Sequence, residues 1–332
     1  MTAEHYDPYR LPDTPPPLPP GSIKVLCLSG GGYRGLFTAA VLQALEARFS
    51  ADPKHPTPFG QHFDLIAGTS IGGILATALA CDQRASAMAA SLERDGPTIF
   101  PAMRLRGLRK LFRAAPYKPQ NLRQAITRLL PNADSMRLAS LAKPLMLTTV
   151  NWGTSKLQLL GSAGTPQPDA LRLTLMDAML ATSAAPAHFP AHAVREHRFV
   201  DGGLAANAPD IHALHWARNL RPGAQVLMLS IGTANPTAGR DPASIPQRGL
   251  SWAKPIIELV MTAQELHSID TVARQLPDSY VRLNAPPSML QQPHLDFDVA
   301  NVRSTQLLRT LATDCVASMT PAQEAALQRI FR

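Results

Sequence analysis

Gly68-Thr69-Ser70-Ile71-Gly72 lies between an apolar run, Phe63-Asp64-Leu65-Ile66-Ala67, and a small-residue stretch with helical character. A serine on a sharp strand-to-helix turn has an exposed hydroxyl, and its neighbours two residues away must be small because a Cβ there would meet the adjoining chain. The free N–H groups and positive dipole end of the helix that follows favour a developing negative charge. Ser70 is therefore a candidate nucleophile, with Gly68 and Gly72 as the elbow that presents it. Taken alone, the pentapeptide fits a plain small-residue turn equally well.

A second segment, Ser29-Gly30-Gly31-Gly32-Tyr33-Arg34-Gly35, follows the strand-like run Ile23 to Leu28 and precedes a helical pattern with Phe37, Ala40, Val41 and Ala44 on one face. A glycine-rich loop that opens a helix binds anions through its free amides. The anion is a phosphate, or the oxyanion of a tetrahedral acyl-transfer intermediate, where one donor contributes about 3–4 kcal/mol. Gly30, Gly32 and Gly35 also satisfy G-x-G-x-x-G, the dinucleotide fingerprint, which further demands an acidic residue about twenty positions on, closing a second strand. Glu46 lies inside the helical pattern and Asp52 in a polar loop, neither ending an apolar run, so the nucleotide reading loses ground. A third segment, Phe199-Val200-Asp201-Gly202-Gly203, delivers a carboxylate at a strand end, although Asp-Gly by itself also marks ordinary turns.

In this order, the glycine loop, the serine elbow and the Asp-Gly-Gly resemble the patatin-like phospholipases over roughly Ile23 to Asn284. The resemblance extends to Ala181-Thr182-Ser183-Ala184-Ala185-Pro186, to Asn207-Ala208-Pro209 and to the strand running from Gln225 to Thr233. It implies a serine acyl hydrolase with a Ser-Asp dyad, Ser70 as nucleophile and Asp201 as general base. It also implies an oxyanion hole in the loop Gly30, Gly31, Gly32, Tyr33, Arg34, Gly35, centred on the amides around Gly31 and Gly32, and membrane glycerophospholipids or lysophospholipids as substrates. Ala208 departs from many relatives, which carry a second Asn there. The loop, the elbow and Ala206-Asn207-Ala208-Pro209-Asp210 look like those of bacterial enzymes of this family that cyclic dinucleotides such as cyclic GMP-AMP activate in anti-phage defence. That narrower likeness implies an activating cyclic dinucleotide and an anionic membrane surface as partners, although no motif marks residues that would hold the nucleotide. An unregulated housekeeping lipase and a catalytically inert nucleotide- or membrane-binding module are the alternatives.

A dyad without histidine asks Asp201 to take the Ser70 proton directly, and partial burial would raise its pKa toward neutrality for that duty. The rival is a triad in the order Ser, Asp or Glu, His, for which His212, His215, His267 and His294 lie downstream of Asp201. Against it, the glycine loop lacks the leading histidine of the lipase type, and His212 and His215 sit in the helix-like run from Ile211 to Ala217. His188, His192 and His197 are expected in surface or supporting roles. Arg34 either hydrogen-bonds loop carbonyls or meets a phospholipid phosphate, and the first job is favoured. No pair of histidines has zinc spacing with supporting ligands, so no metal is expected.

Alternating elements must position these groups. Strands are predicted at Ile23–Leu28, Phe63–Ala67, Leu145–Val150, Lys156–Leu160, Arg198–Val200, Gln225–Ile231 and Tyr280–Leu283. Helices are predicted at Leu36–Phe49, Ile71–Cys81, Pro255–Gln275 and Ser304–Ser318, with another starting at Thr320-Pro321. The alternation argues for an α/β fold, a three-layer α/β/α sandwich with a mostly parallel central sheet. With 332 residues, 45% hydrophobic, the chain suffices for one large domain, expected at residues 22–332 behind a Pro-rich arm at 1–21. The arm reads as extended polyproline that contacts a neighbouring copy in a homo-oligomer or extends freely.

A formal charge of +8 predicts an anionic partner. Arg104, Arg106, Arg109, Lys110 and Arg113 interleave with Leu105, Leu108, Leu111 and Phe112 without an acid, which fits either a membrane interface or a solvated basic face. Nucleic acid is not expected as a partner. The apolar runs are too short to cross a bilayer, no secretory signal precedes the arm, and Cys27, Cys81 and Cys315 form no spaced framework. A cytoplasmic protein, peripheral at the inner membrane when active, is expected.

Overall fold

The computed structural model describes residues 21–49, 57–102, 117–162, 172–235, 245 and 253–331. Residues 1–20 of the Pro-rich arm, the loop holding Asp52 and the basic segment from Arg104 to Arg113 lie outside the described residues.

The strands are β1 (Ser22–Leu28), β2 (Leu65–Thr69), β3 (Leu145–Asn151), β4 (Lys156–Gly161), β5 (His192–Val194), β6 (His197–Asp201), β7 (Gln225–Ile231) and β8 (Tyr280–Leu283). They form one eight-stranded sheet in the order β5-β6-β3-β2-β1-β7-β8, with β4 also on β3. Neighbours from β3 to β8 pair in parallel, whereas β4, β5 and β6 add an antiparallel flank. The sheet is thus mixed, and the expected parallel character belongs to its centre.

Strand side chains alternate between faces, and here both faces are apolar. Leu26 and Leu28 of β1 with Leu227, Leu229 and Ile231 of β7 enter one core cluster. Ile23, Val25 and Cys27 with Val226 and Met228 enter the other. The first cluster is covered by α1 (Gly35–Phe49), α2 (Ile71–Ala80), α3 (Ala85–Ile99), α4 (Pro119–Leu129) and α5 (Leu175–Thr182), together with α9 (Val302–Ala317) and α10 (Pro321–Phe331). The second is covered by α7 (Asp210–Leu220) and the C-terminal end of α8 (Ala253–Gln275). A short α6 (Gly203–Ala206) follows β6. A sheet buried on both faces is what near-continuous apolar strands require, and the three layers follow.

Helices α3 and α4 are absent from the sequence expectation. Gly96 and Pro97 inside α3 obscure its pattern. Gly96 is there for packing: a Cβ on it would stand 2.2 Å from Tyr33 Cε2.

Candidate active site

Two edges of β3 create the site. β4 occupies one edge from Met146 to Asn151. On the other edge β2 pairs up to Thr69 opposite Thr148, and β6 takes over with Asp201 opposite Thr149. Ser70, the first residue past β2, therefore meets Asp201, the last residue of β6. Ser70 Oγ donates to Asp201 Oδ2 at 2.6 Å across 131 positions of sequence.

Ser70 has φ 56° and ψ −126° at the N-cap of α2, a conformation that side-chain-bearing residues rarely adopt. Close packing holds the turn: a Cβ on Gly72 would stand 2.3 Å from the Leu28 carbonyl oxygen, and one on Gly68 2.3 Å from that of Gly72. The Ser70 amide donates to Thr182 Oγ1 at 2.9 Å, and that hydroxyl donates to the Thr148 carbonyl at 2.6 Å. Thr182→Val keeps the shape and removes this buried link. It is expected to lower stability by about 1–3 kcal/mol and turnover with it, measured by denaturant unfolding and ester hydrolysis.

Asp201 is buried, and its Oδ1 accepts the Gly203 amide at 2.7 Å. Burial pushes its pKa up to about 6, against the hydrogen bonds from Ser70 and Gly203 that pull it down. A carboxylate of that basicity can accept a serine proton near neutral pH.

The glycine loop lies over this pair. A Cβ on Gly30 would stand 3.2 Å from Ser70 Cβ. Most of the loop's amides are already engaged: Gly30 donates to the Asn207 carbonyl, Tyr33 to that of Phe297, Arg34 to that of Gly31 and Gly35 to those of Gly32 and Tyr33. Among the described hydrogen bonds none takes the Gly31 or Gly32 N–H. The six-residue oxyanion loop of the sequence reading thus narrows to two available donors, because backbone carbonyls consume the other four.

A patatin-like phospholipase family model matches residues 26–214, more than half of the chain. The chain belongs to the patatin-like phospholipase family. A cGAMP-activated phospholipase of Pseudomonas aeruginosa is 34% identical over 78% of this chain and 77% of its own length. Similar proteins of the same name occur in Escherichia coli, 32% identical over 93% and 92%, and in Vibrio cholerae, 32% identical over 74% and 75%.

As a patatin-like phospholipase the chain is an ester hydrolase, and the described partner of the Ser70 hydroxyl is the Asp201 carboxylate and not an imidazole. His192 Nε2 is 3.2 Å from Asp177 Oδ1, and His188 stacks near Tyr117 and Phe297. On α7, burial holds the His212 pKa down to about 4. Arg34 departs from expectation: its Nε is buried without a partner, and no described hydrogen bond joins its guanidinium to a loop carbonyl. Among the described residues no cluster of His, Cys, Asp or Glu could hold a metal ion. The role of Thr182 escaped the sequence reading although its segment was singled out, because only tertiary contact brings its hydroxyl to the elbow.

Proposed function

We propose that this patatin-like phospholipase uses Ser70 and Asp201 as a dyad to hydrolyse acyl esters of membrane glycerophospholipids, and that a cyclic dinucleotide switches it on in anti-phage defence. The observation that carries the reading is the 2.6 Å hydrogen bond from Ser70 Oγ to Asp201 Oδ2 beside the Gly31 and Gly32 amides. Asp201 takes the hydroxyl proton as Ser70 Oγ bonds to the acyl carbonyl carbon, and the glycine amides hold the negative oxygen that forms. Collapse expels the lysolipid alkoxide, which takes the proton from Asp201. Water, deprotonated by the same carboxylate, then cleaves the acyl-serine ester; fatty acid leaves and the proton returns to Ser70.

Two features support a regulated enzyme at a membrane surface. Ser70 and Asp201 are each only 2% exposed, and a ligand that prefers a state in which they are more accessible would raise activity. On α8, whose inner side carries Met261 and Gln264 against Gly203, the residues Ile256, Leu259 and Val260 are exposed at helical spacing. Such an apolar stripe suits contact with acyl chains at the inner membrane. No helix among the described residues is long and apolar enough to cross a membrane. The names of the relatives support cyclic GMP-AMP as the activator.

A fluorophosphonate probe and lipid product analysis by mass spectrometry test the reading on wild type and Ser70→Ala. The wild type is expected to label at Ser70 and to release fatty acid from phospholipid vesicles, and the variant to do neither. Cyclic GMP-AMP is expected to raise vesicle hydrolysis roughly 5- to 150-fold, the range of an ordinary coupling free energy. Turnover by Ser70→Ala defeats the dyad; hydrolysis indifferent to every cyclic dinucleotide defeats the switch.

A further inference from the structure

Glu265, on the inner side of α8, is buried behind the glycine loop, a setting a carboxylate tolerates only when its oxygens are engaged. Its Oε1 accepts from Arg282 Nη2 at 2.9 Å, and its Oε2 accepts from Asn207 Nδ2 and Asn235 Nδ2, each at 2.6 Å. Each of the three partners leads on to the same place. Arg282 Nη1 donates to Ser29 Oγ at 3.0 Å and to Ser230 Oγ at 2.7 Å. Asn207 receives the Gly30 amide on its main-chain carbonyl at 3.0 Å, and its Nδ2 lies 3.4 Å from the Gly30 carbonyl oxygen. Asn235 Oδ1 pairs with Thr233 Oγ1 at 2.9 Å, and that hydroxyl lies 3.0 Å from the same Gly30 oxygen. All three routes end at Ser29 and Gly30, where the loop leaves β1 beside Ser70.

The carboxylate also decides which way the Asn207 side chain faces, since only the amide nitrogen can donate to it. Asn207 Oδ1 is thereby turned toward Gly30 and Gly203, buried and without a partner, 2.4 Å and 2.9 Å from where Cβ atoms on those glycines would stand.

We infer that Glu265 is a positioning residue for the acyl transfer: its carboxylate sets Asn207, Asn235 and Arg282, and through them the start of the oxyanion loop. The inference rests on the Ser70–Asp201 reading above. Buried ion pairs contribute little net stability, and this one acts through the placement of the Gly31 and Gly32 amides against the transition state.

Glu265→Gln, the double variant Glu265→Gln/Arg282→Gln, Ser70→Ala and wild type are compared by thermal unfolding and by kcat and KM on a soluble aryl ester. Glu265→Gln is expected to lower kcat about 10- to 100-fold, the effect of a reacting group displaced by about an ångström, while KM stays within about twofold because ground-state contacts are untouched. Should the single variant fail to fold because Arg282 is left unpaired, the double variant removes that charge and is expected to show the same loss in kcat. Wild-type kcat in either folded variant, or a change confined to KM, overturns the inference. So does failure of both to fold, which assigns Glu265 to the fold itself. Turnover by Ser70→Ala instead sinks the dyad, and an inactive Ser70→Ala beside a fully active Glu265→Gln sinks the positioning role alone.

Discussion

Asp201→Asn is expected to abolish turnover and, at pH 8, to make the folded protein more stable. Removing a general base lowers kcat by about 10²–10⁴-fold when no neighbour replaces it. The stability gain follows from burial. Asp201 has a folded-state pKa of about 6 against an ordinary value of 3.8. Its neutral form is favoured inside, so its contribution is fully present below the unfolded pKa and is lost as pH rises through the folded one. The difference amounts to about 3 kcal/mol by pH 8. Asparagine, uncharged throughout, escapes that loss, and the advantage over wild type should shrink as pH drops from about 6 toward 4 and be gone below about 4. Denaturant unfolding at both pH values measures it. The same raised pKa sets the wild-type profile: kcat/KM on a soluble ester should climb about tenfold per pH unit and level off above about pH 6. A variant that keeps its turnover, or a wild-type profile without a break in that region, would remove Asp201 from the proposed chemistry.

Gly32→Ala carries the second large expectation. Gly32 has φ +59°, and a Cβ there would stand 2.4 Å from the Phe297 carbonyl oxygen and 2.8 Å from its ring. That oxygen is the acceptor for the Tyr33 amide, so it cannot move aside without releasing the loop. The loop must shift, and the two open amides shift with it. Losing oxyanion donors lowers kcat by about 10²–10³-fold per donor, and labelling of Ser70 by a fluorophosphonate should slow in parallel. Gly223→Ala is the control, because Gly223 also has a positive φ, +80°, yet has nothing within 4 Å of an added Cβ. It is expected to lower stability by roughly 1 kcal/mol at wild-type turnover. Wild-type kcat in Gly32→Ala would take the glycine loop out of the mechanism.

Local patterns made much of this enzyme readable in one dimension. The elbow could be seen in Gly68, Ser70 and Gly72 because a strained turn excludes side chains from neighbours a few positions away. Strands β1, β2 and β7 stood out as apolar runs because a sheet covered on both faces has no polar side to show. Helix α3 was illegible for the opposite reason: Gly96 answers to the Tyr33 ring, a partner 63 positions earlier in the chain, and not to the helix that contains it.

Tertiary structure alone decided how these parts combine. Asp201 reaches Ser70 because β6 continues the edge of β3 that β2 vacates, a choice made by strand pairing between distant segments. Which loop amides stay open depends on the carbonyls of Asn207 and Phe297, far away in sequence. The basicity of Asp201 comes from burial, and the grip of Glu265 on the loop joins the end of α6, α8, the end of β7 and β8 to the end of β1. Residue types and short spacings carry the chemistry that is possible; hydrogen bonds between remote segments, and the exclusion of water around them, select the atoms that perform it.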